Sequence, residues 1–170
     1  MTARYCGRCH ACCVHLDLGP RPAHTPCAEL DDAGRCRIYG DRPKQCSGFY
    51  CAWLLGLIPE DKRPDSCGVL VQIAKNALGG IGINVIECRP GALDAEAELM
   101  KKLQSWPCRL IEFRWLSGKE IMWSADQTWI DHLRANNPKL GVPDDAMTVT
   151  IEIMNREGGR YDRPAQVCTS

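Results

Sequence analysis

The chain of 170 residues has no excess of charge, no long apolar run and no familiar catalytic signature, and each absence narrows its function. Lysine plus arginine and aspartate plus glutamate both number 21, so the global balance does not indicate nucleic acid or an acidic membrane as partner. No stretch approaches the roughly 18 apolar residues of a membrane span. The opening residues Met1 to Cys6 lack the apolar core of a signal peptide, and a cytoplasmic protein is the expectation. No Ser-His-Asp arrangement, nucleophile elbow or dinucleotide fingerprint is present. Gly79-Gly80-Ile81-Gly82 has no Walker lysine and no following helix, so it reads as a turn. Glu112 and Glu120 fall on facing strands, where pairing with basic neighbours accounts for them.

Apolar side chains are also short in one region. Residues 1–51 contain only ten of Val, Ile, Leu, Met, Phe, Tyr and Trp, against 34 in residues 67–170. A segment this poor cannot build an ordinary core and needs a staple. Cysteine is what it has in quantity: eight of the chain's 12 cysteines lie there, with His10, His15 and His24. In a reducing compartment dense cysteine signals metal binding ahead of disulfides or redox thiols. A bound metal would convert its binding free energy into folding free energy.

Cys6-Gly-Arg-Cys9-His-Ala-Cys12-Cys13 is a C-x2-C-x2-C-C run. A C-x2-C turn brings two thiolates to one metal, and a third at the same interval adds a corner. Adjacent Cys12 and Cys13 diverge, so both serve only if they address different centres; otherwise one is a buried spectator. Cys27, Cys36, Arg42-Pro43-x-x-Cys46 and Cys51 follow downstream. This pattern resembles the YkgJ-type cysteine-cluster family, the zinc- or iron-chelating CxxCxxCC domain related to the cysteine-rich part of flagellin N-methylases. The resemblance covers about residues 5–68, with Arg63-Pro64-Asp65-Ser-Cys67-Gly68 as a weaker extension. It implies eight metal-binding cysteines, Cys6, Cys9, Cys12, Cys13, Cys27, Cys36, Cys46 and Cys51, and no assigned reaction.

Eight thiolates fit two zinc ions, one [4Fe–4S] cluster with four cysteines otherwise used, or two clusters, and zinc and iron–sulfur stand level. Arg4, Arg8, Arg35, Arg37, Arg42 and Lys44 neighbour the cysteines and are expected to offset thiolate charge. The three histidines read as exposed or capping residues. Cys67, Cys88, Cys108 and Cys168 read as buried thiols, with Cys67 the first candidate for an extra ligand. Trp106, Trp115, Trp123 and Trp129 read as volume fillers, not as an aromatic cage.

The remainder reads as a small α+β unit. Residues 69–74 and 81–88 are β-branched runs joined by a glycine loop, and 109–116 and 119–123 form a second pair around Ser117-Gly118, a two-residue turn. Helices are expected over 94–106, stopped by Pro107, and after Ser124, where Ser124-Ala-Asp-Gln127 reads as a capping box, ending at Asn136-Asn137-Pro138. Residues 147–154 alternate as a last strand, and the tail from Asn155 is expected to be irregular. The order ββαββαβ predicts an α+β fold: a small antiparallel sheet with two helices, carrying an irregular, short-helical, metal-organised cysteine module. The division expected is 1–66 for the module and 67–170 for the sheet unit, with the turn-rich 58–65 as joint. The function expected is metal binding through the eight thiolates, with a protein partner or peptide substrate on the sheet surface. An iron–sulfur enzyme or electron-transfer accessory for protein modification, and a thiol redox protein, are the rival readings.

Overall fold

The structure, a computed structural model, describes residues 4–17, 21–75, 81–106, 110–136, 149–154 and 166–168. Its fold is α+β, organised on a six-stranded sheet whose strands follow one another in chain order. β1 (Val69–Lys75) and β2 (Ile81–Glu87) pair antiparallel, in register from Val69 with Glu87 to Lys75 with Ile81. Their β-branched residues supply the centre of the core, with Val69, Leu70, Val71, Ile83, Val85 and Ile86 all buried. Two short helices, α4 (Ala92–Ala95) and α5 (Ala97–Gln104), then carry the chain to β3 (Leu110–Arg114), which lies parallel to β2. The expected antiparallel arrangement thus holds for four of the five pairings. A helical crossover returns the chain in its original direction, so the strands it joins must run parallel.

The expected helix over 94–106 begins earlier and is broken. Glu96 leaves helical backbone (φ −101°, ψ 37°), and its carboxylate reaches the Lys62 ammonium at 2.8 Å. Beyond the break Leu99 and Leu103, four residues apart on α5, face the core. Pro107 lies outside the described residues.

β3 turns into β4 (Lys119–Ser124) through a three-residue loop, not the two-residue turn expected from Ser117-Gly118. The Trp115 amide donates to the Lys119 carbonyl and the Gly118 amide to the Trp115 carbonyl, at 2.8 and 3.0 Å. Gly118 takes a φ of 83°, the left-handed position that closes a hairpin with a bulge and that glycine adopts without strain. The helix after β4, α6 (Gln127–Asn136), is capped two residues later than Ser124-Ala-Asp-Gln127 suggests. The Asp126 carboxylate accepts the Trp129 amide at 2.9 Å, while the Ser124 hydroxyl accepts the amide of Asp126 itself. Of the expected stop, Asn136 is the last helical residue; Asn137 and Pro138 lie outside the described residues.

β5 (Val149–Met154) pairs with β4, and the tail expected to be irregular contributes a sixth strand, β6 (Gln166–Cys168), set against Thr150 to Glu152. The free edge of β5 offers unpaired backbone groups, and three residues suffice to use them. The expected strand residues 147 and 148 lie outside the described residues.

The cysteine-rich segment joins the same core. Leu16, Cys51, Ala52, Trp53 and Ile58 pack with the residues of β1, β2, β3 and α5. The Ala52 amide donates to the Val71 carbonyl at 2.8 Å, and Cys51 bridges to Gln72, so residues 51–52 extend the sheet beyond β1. The guanidinium groups of Arg4 and Arg63 lie 5.2 and 6.0 Å from the centre of the Trp53 ring. Its indole N–H donates to the Glu60 carbonyl at 2.8 Å.

Glu87 is buried at the end of β2; one oxygen accepts the Leu116 amide at 2.8 Å and the other has no partner among the described residues. Among the described residues no helix is long and apolar enough to cross a membrane.

Replacing Leu103 by alanine opens a cavity beneath α5 and is expected to cost about 2–5 kcal/mol in urea unfolding. Asp126→Ala, which removes the α6 cap, is expected to cost about 1 kcal/mol by the same measurement.

Candidate metal centre

The cysteines are placed by turns. Cys6-Gly7-Arg8-Cys9 closes with the Cys9 amide donating to the Cys6 carbonyl at 2.8 Å, and Gly7 holds the positive φ (57°) the turn requires. It feeds α1 (Ala11–His15), whose Ala11 and the following Leu16 are buried and whose Cys12 packs on the main core. Cys12 and Cys13 are consecutive helical residues, about 100° apart around the axis.

Arg21 folds back over the end of α1. Its guanidinium donates to the Leu16 carbonyl at 2.8 Å, and also to the carbonyls of Cys12, Val14 and Thr25. These take up carbonyls left over where the helix stops. The Cys27 amide then donates to the Cys13 carbonyl at 3.0 Å, and a bridge between Leu30 and Cys36 closes a turn organised by the Asp31 carboxylate. Cys46 sits on α2 (Lys44–Ser47), directly after Arg42-Pro43. Cys51 hangs from the edge of β1.

Cys6, Cys9, Cys12, Cys13 and Cys36 line one cavity of about 30 Å³, together with His10, Tyr39 and Arg42. The other three face members of this group. The charges of Cys13, Cys27 and Cys36 bear on Cys46, that of Cys6 on Cys51, and that of Cys51 on Cys9. The ten cysteines from Cys6 to Cys88 are free thiols. Among the described residues no three Cys, His, Asp or Glu side chains converge on a ready coordination site.

The environment of the sulfurs is uneven. Burial pushes the Cys9 thiol up to about 11, against the pull of the Ala11 and Asp65 amides. It also raises Cys46 and Cys51; the Leu54 amide, 3.5 Å from the Cys51 sulfur, acts the other way. Cys12 and Cys13 share a hydrogen bond that holds the proton on Cys12, raising it. The same bond lowers Cys13 to about 6, helped by the positive charges of Arg21, His10 and Arg42. A metal entering this region would displace thiol protons, so acid opposes binding.

Several basic residues named beside the cysteines do other work. Arg4 donates to the Trp53 and Ile58 carbonyls, each at 2.8 Å, Arg35 pairs with Asp31, and Arg37 with Glu29. Arg42 lines the cavity and stacks on Tyr39 at 3.7 Å. The residues that the spacing did not single out are Arg21, which follows Pro20 with no cysteine adjacent, and Tyr39, whose hydroxyl is paired with the Cys6 thiol. The nearest sequence signal is the Cys36-Arg-Ile-Tyr39 interval. Of the histidines, His15 and His24 bond each other at 3.1 Å, whereas His10 lines the cavity and donates to or orients on the Arg8 carbonyl at 3.1 Å. The Cys67 sulfur lies 3.5 Å from the carbonyls of Lys62 and Val69, and Cys88 faces Cys67 and Cys9. Cys108 lies outside the described residues, and Cys168 pairs with Thr150.

The donor set is soft: eight sulfurs, with guanidinium groups and backbone amides around them. That chemistry fits zinc or iron–sulfur iron and does not fit magnesium or calcium, which take oxygen. The thiolates of Cys6, Cys9, Cys12, Cys13, Cys27, Cys36, Cys46 and Cys51 would hold it, and when bound it would supply a cross-link between segments that share little apolar contact.

No family model matches the chain, and no solved structure matches it. The chain spans about three fifths of the curated relative that it matches. It is similar to the UPF0153 protein YeiW of Escherichia coli (strain K12), 37% identical over 51 aligned positions that cover 24% of this chain and 61% of that protein.

Proposed function

We propose that this protein is a thiolate metal-binding protein of the YkgJ-like kind, in which residues 1–66 form a cysteine module docked on the α+β unit of residues 67–170. The observation that carries the reading is the burial pattern. Among the described residues, none from 21 to 50 is buried, yet that stretch follows a defined path of turns. Of its three cysteines, Cys27 bonds the Cys13 carbonyl through its amide and Cys36 lines the same cavity as Cys13. A polar segment without an interior is what a structural metal supports.

Zinc is the first of two level readings, supported by the C-x2-C knuckle spacing of Cys6 and Cys9 in a chain whose stretch 21–50 has no interior. An iron–sulfur centre is the second, favoured by the C-x2-C-x2-C spacing of Cys6, Cys9 and Cys12. In either case the thiols work reduced, in the cytoplasm, and the sheet unit offers its surface to a protein partner or peptide substrate.

Anaerobic purification followed by elemental analysis and visible absorption tests this reading. Stoichiometric zinc in a colourless protein supports the first form, and iron with broad absorption supports the second. Absence of both, with free titratable thiols, would sink it in favour of a thiol redox protein. Cys9→Ser is expected to lower the metal content and loosen the N-terminal segment to protease, whereas Cys168→Ser keeps wild-type metal and stability.

A further inference from the structure

Resting on that metal-binding reading, we infer that His10 is a positioning residue. Its ring seats the loop that carries Cys36 against the thiol cavity, and that loop needs glycine at position 34 because the ring occupies the space a side chain there would fill.

Two separately built pieces meet at the cavity. The Cys6–Cys9 turn with the start of α1 contributes Cys6, Cys9, His10, Cys12 and Cys13, and the loop 29–37 contributes Leu30, Gly34 and Cys36. The loop is held by its own hydrogen bonds. The Arg37 amide donates to the Glu29 carbonyl at 2.8 Å, the Asp31 amide to the Arg35 carbonyl at 2.9 Å, and Leu30 bridges to Cys36. At the tip the Asp31 carboxylate accepts the amides of Ala33 and Arg35 at 2.9 and 2.8 Å, and the Gly34 amide donates to the Asp31 carbonyl at 2.9 Å. A loop closed in this way keeps its shape, so whatever fixes its tip also fixes Cys36, two residues further on.

The tip rests on His10. Gly34 has a φ of 73°, and a methyl group on it would lie 2.7 Å from His10 Nδ1 and 3.0 Å from Cε1. The edge of the imidazole is therefore packed against the glycine backbone. The ring is anchored from the other side. A carbonyl only accepts, so Nδ1 carries the proton and donates to the Arg8 carbonyl at 3.1 Å, inside the Cys6–Cys9 turn. Tilting the ring to admit a side chain at position 34 breaks that bond. The turn itself is closed by the Cys9 amide on the Cys6 carbonyl at 2.8 Å. A histidine directly after Cys9 and a glycine two residues before Cys36 thus serve one contact, which joins the two pieces that line the cavity. Cys27 is tied differently, through its own amide to the Cys13 carbonyl at 3.0 Å, and provides a control within the same stretch.

The full-length chain, reduced and metal-free, is treated with iodoacetamide, and alkylation of each cysteine is followed by mass spectrometry in wild type, His10→Ala, Gly34→Ala and the double variant. The rate at each thiol reports how often its segment opens. Cys36 is expected to react at least about tenfold faster in either single variant, with Cys27 and the core thiol Cys67 at wild-type rates. The strain of a side chain at positive φ enters Gly34→Ala in both backgrounds and cancels, so the coupling isolates the contact. Gly34→Ala is expected to accelerate Cys36 at least about fivefold less when position 10 is already alanine. Cobalt binding gives a spectroscopic readout, with each single variant losing thiolate charge-transfer absorption while Cys67 stays protected. An unchanged Cys36 rate in His10→Ala, equal acceleration of Cys36, Cys27 and Cys67, additive effects in the double variant, or undiminished cobalt absorption in both single variants overturns the positioning role and leaves the metal-binding reading intact. A wild-type chain that takes up no zinc or cobalt overturns that reading, and the alkylation rates still decide the contact.

Discussion

From Arg21 to Tyr50 the chain has no interior, and this constraint governs everything around it. Backbone hydrogen bonds alone do not hold a polar segment against the entropy of its unfolded state. The segment is tied at intervals instead: Arg21 to the end of α1, Cys27 to Cys13, Leu30 to Cys36, and Arg42 to Tyr39. Each of these ties is polar and short in reach. The thiols they gather are the chemical resource that the proposed function draws on.

Where the segment ends, the apolar structure begins abruptly. Cys51, Ala52 and Trp53 are buried in succession, and within that run the chain changes from turns around sulfur to an extension of the sheet. Cys51 is the point of contact between the two ways of staying folded. Its sulfur looks toward Cys6 and Cys9 while its backbone belongs to the edge of β1. The guanidinium groups of Arg4 and Arg63 both lie near the ring of the adjoining tryptophan.

Charge is handled differently across the cluster. Near Cys9 and Cys51 the sulfurs meet backbone amides, whose dipoles are fixed by the fold. Around Cys13 they meet the guanidinium groups of Arg21, held by the carbonyls at the end of α1, and Arg42, held on Tyr39. Fixed amides favour a thiolate without reorganising, and the guanidinium charges favour it by attraction.

Local rules carried a good part of this molecule. The paired β-branched runs, the helical stripe at Leu99 and Leu103, and the Cys6–Cys9 turn all depend on residues within a few positions of one another, where periodicity and glycine placement speak directly. Errors arose where two local options were nearly equivalent: a two- or three-residue hairpin loop at Gly118, or a cap at Ser124 or Asp126. The parallel β2–β3 pair and the sixth strand depend on where distant segments return, and spacing along the chain does not encode that. The sequence alone determined that a segment poor in apolar residues carries eight cysteines and needs a means of cohesion other than a core. Only the tertiary structure decided that Arg4 turns to the Trp53 and Ile58 carbonyls and that Cys51 belongs to the sheet, because both depend on contacts between residues tens of positions apart that burial of Trp53 and Ala52 against β1 brings together.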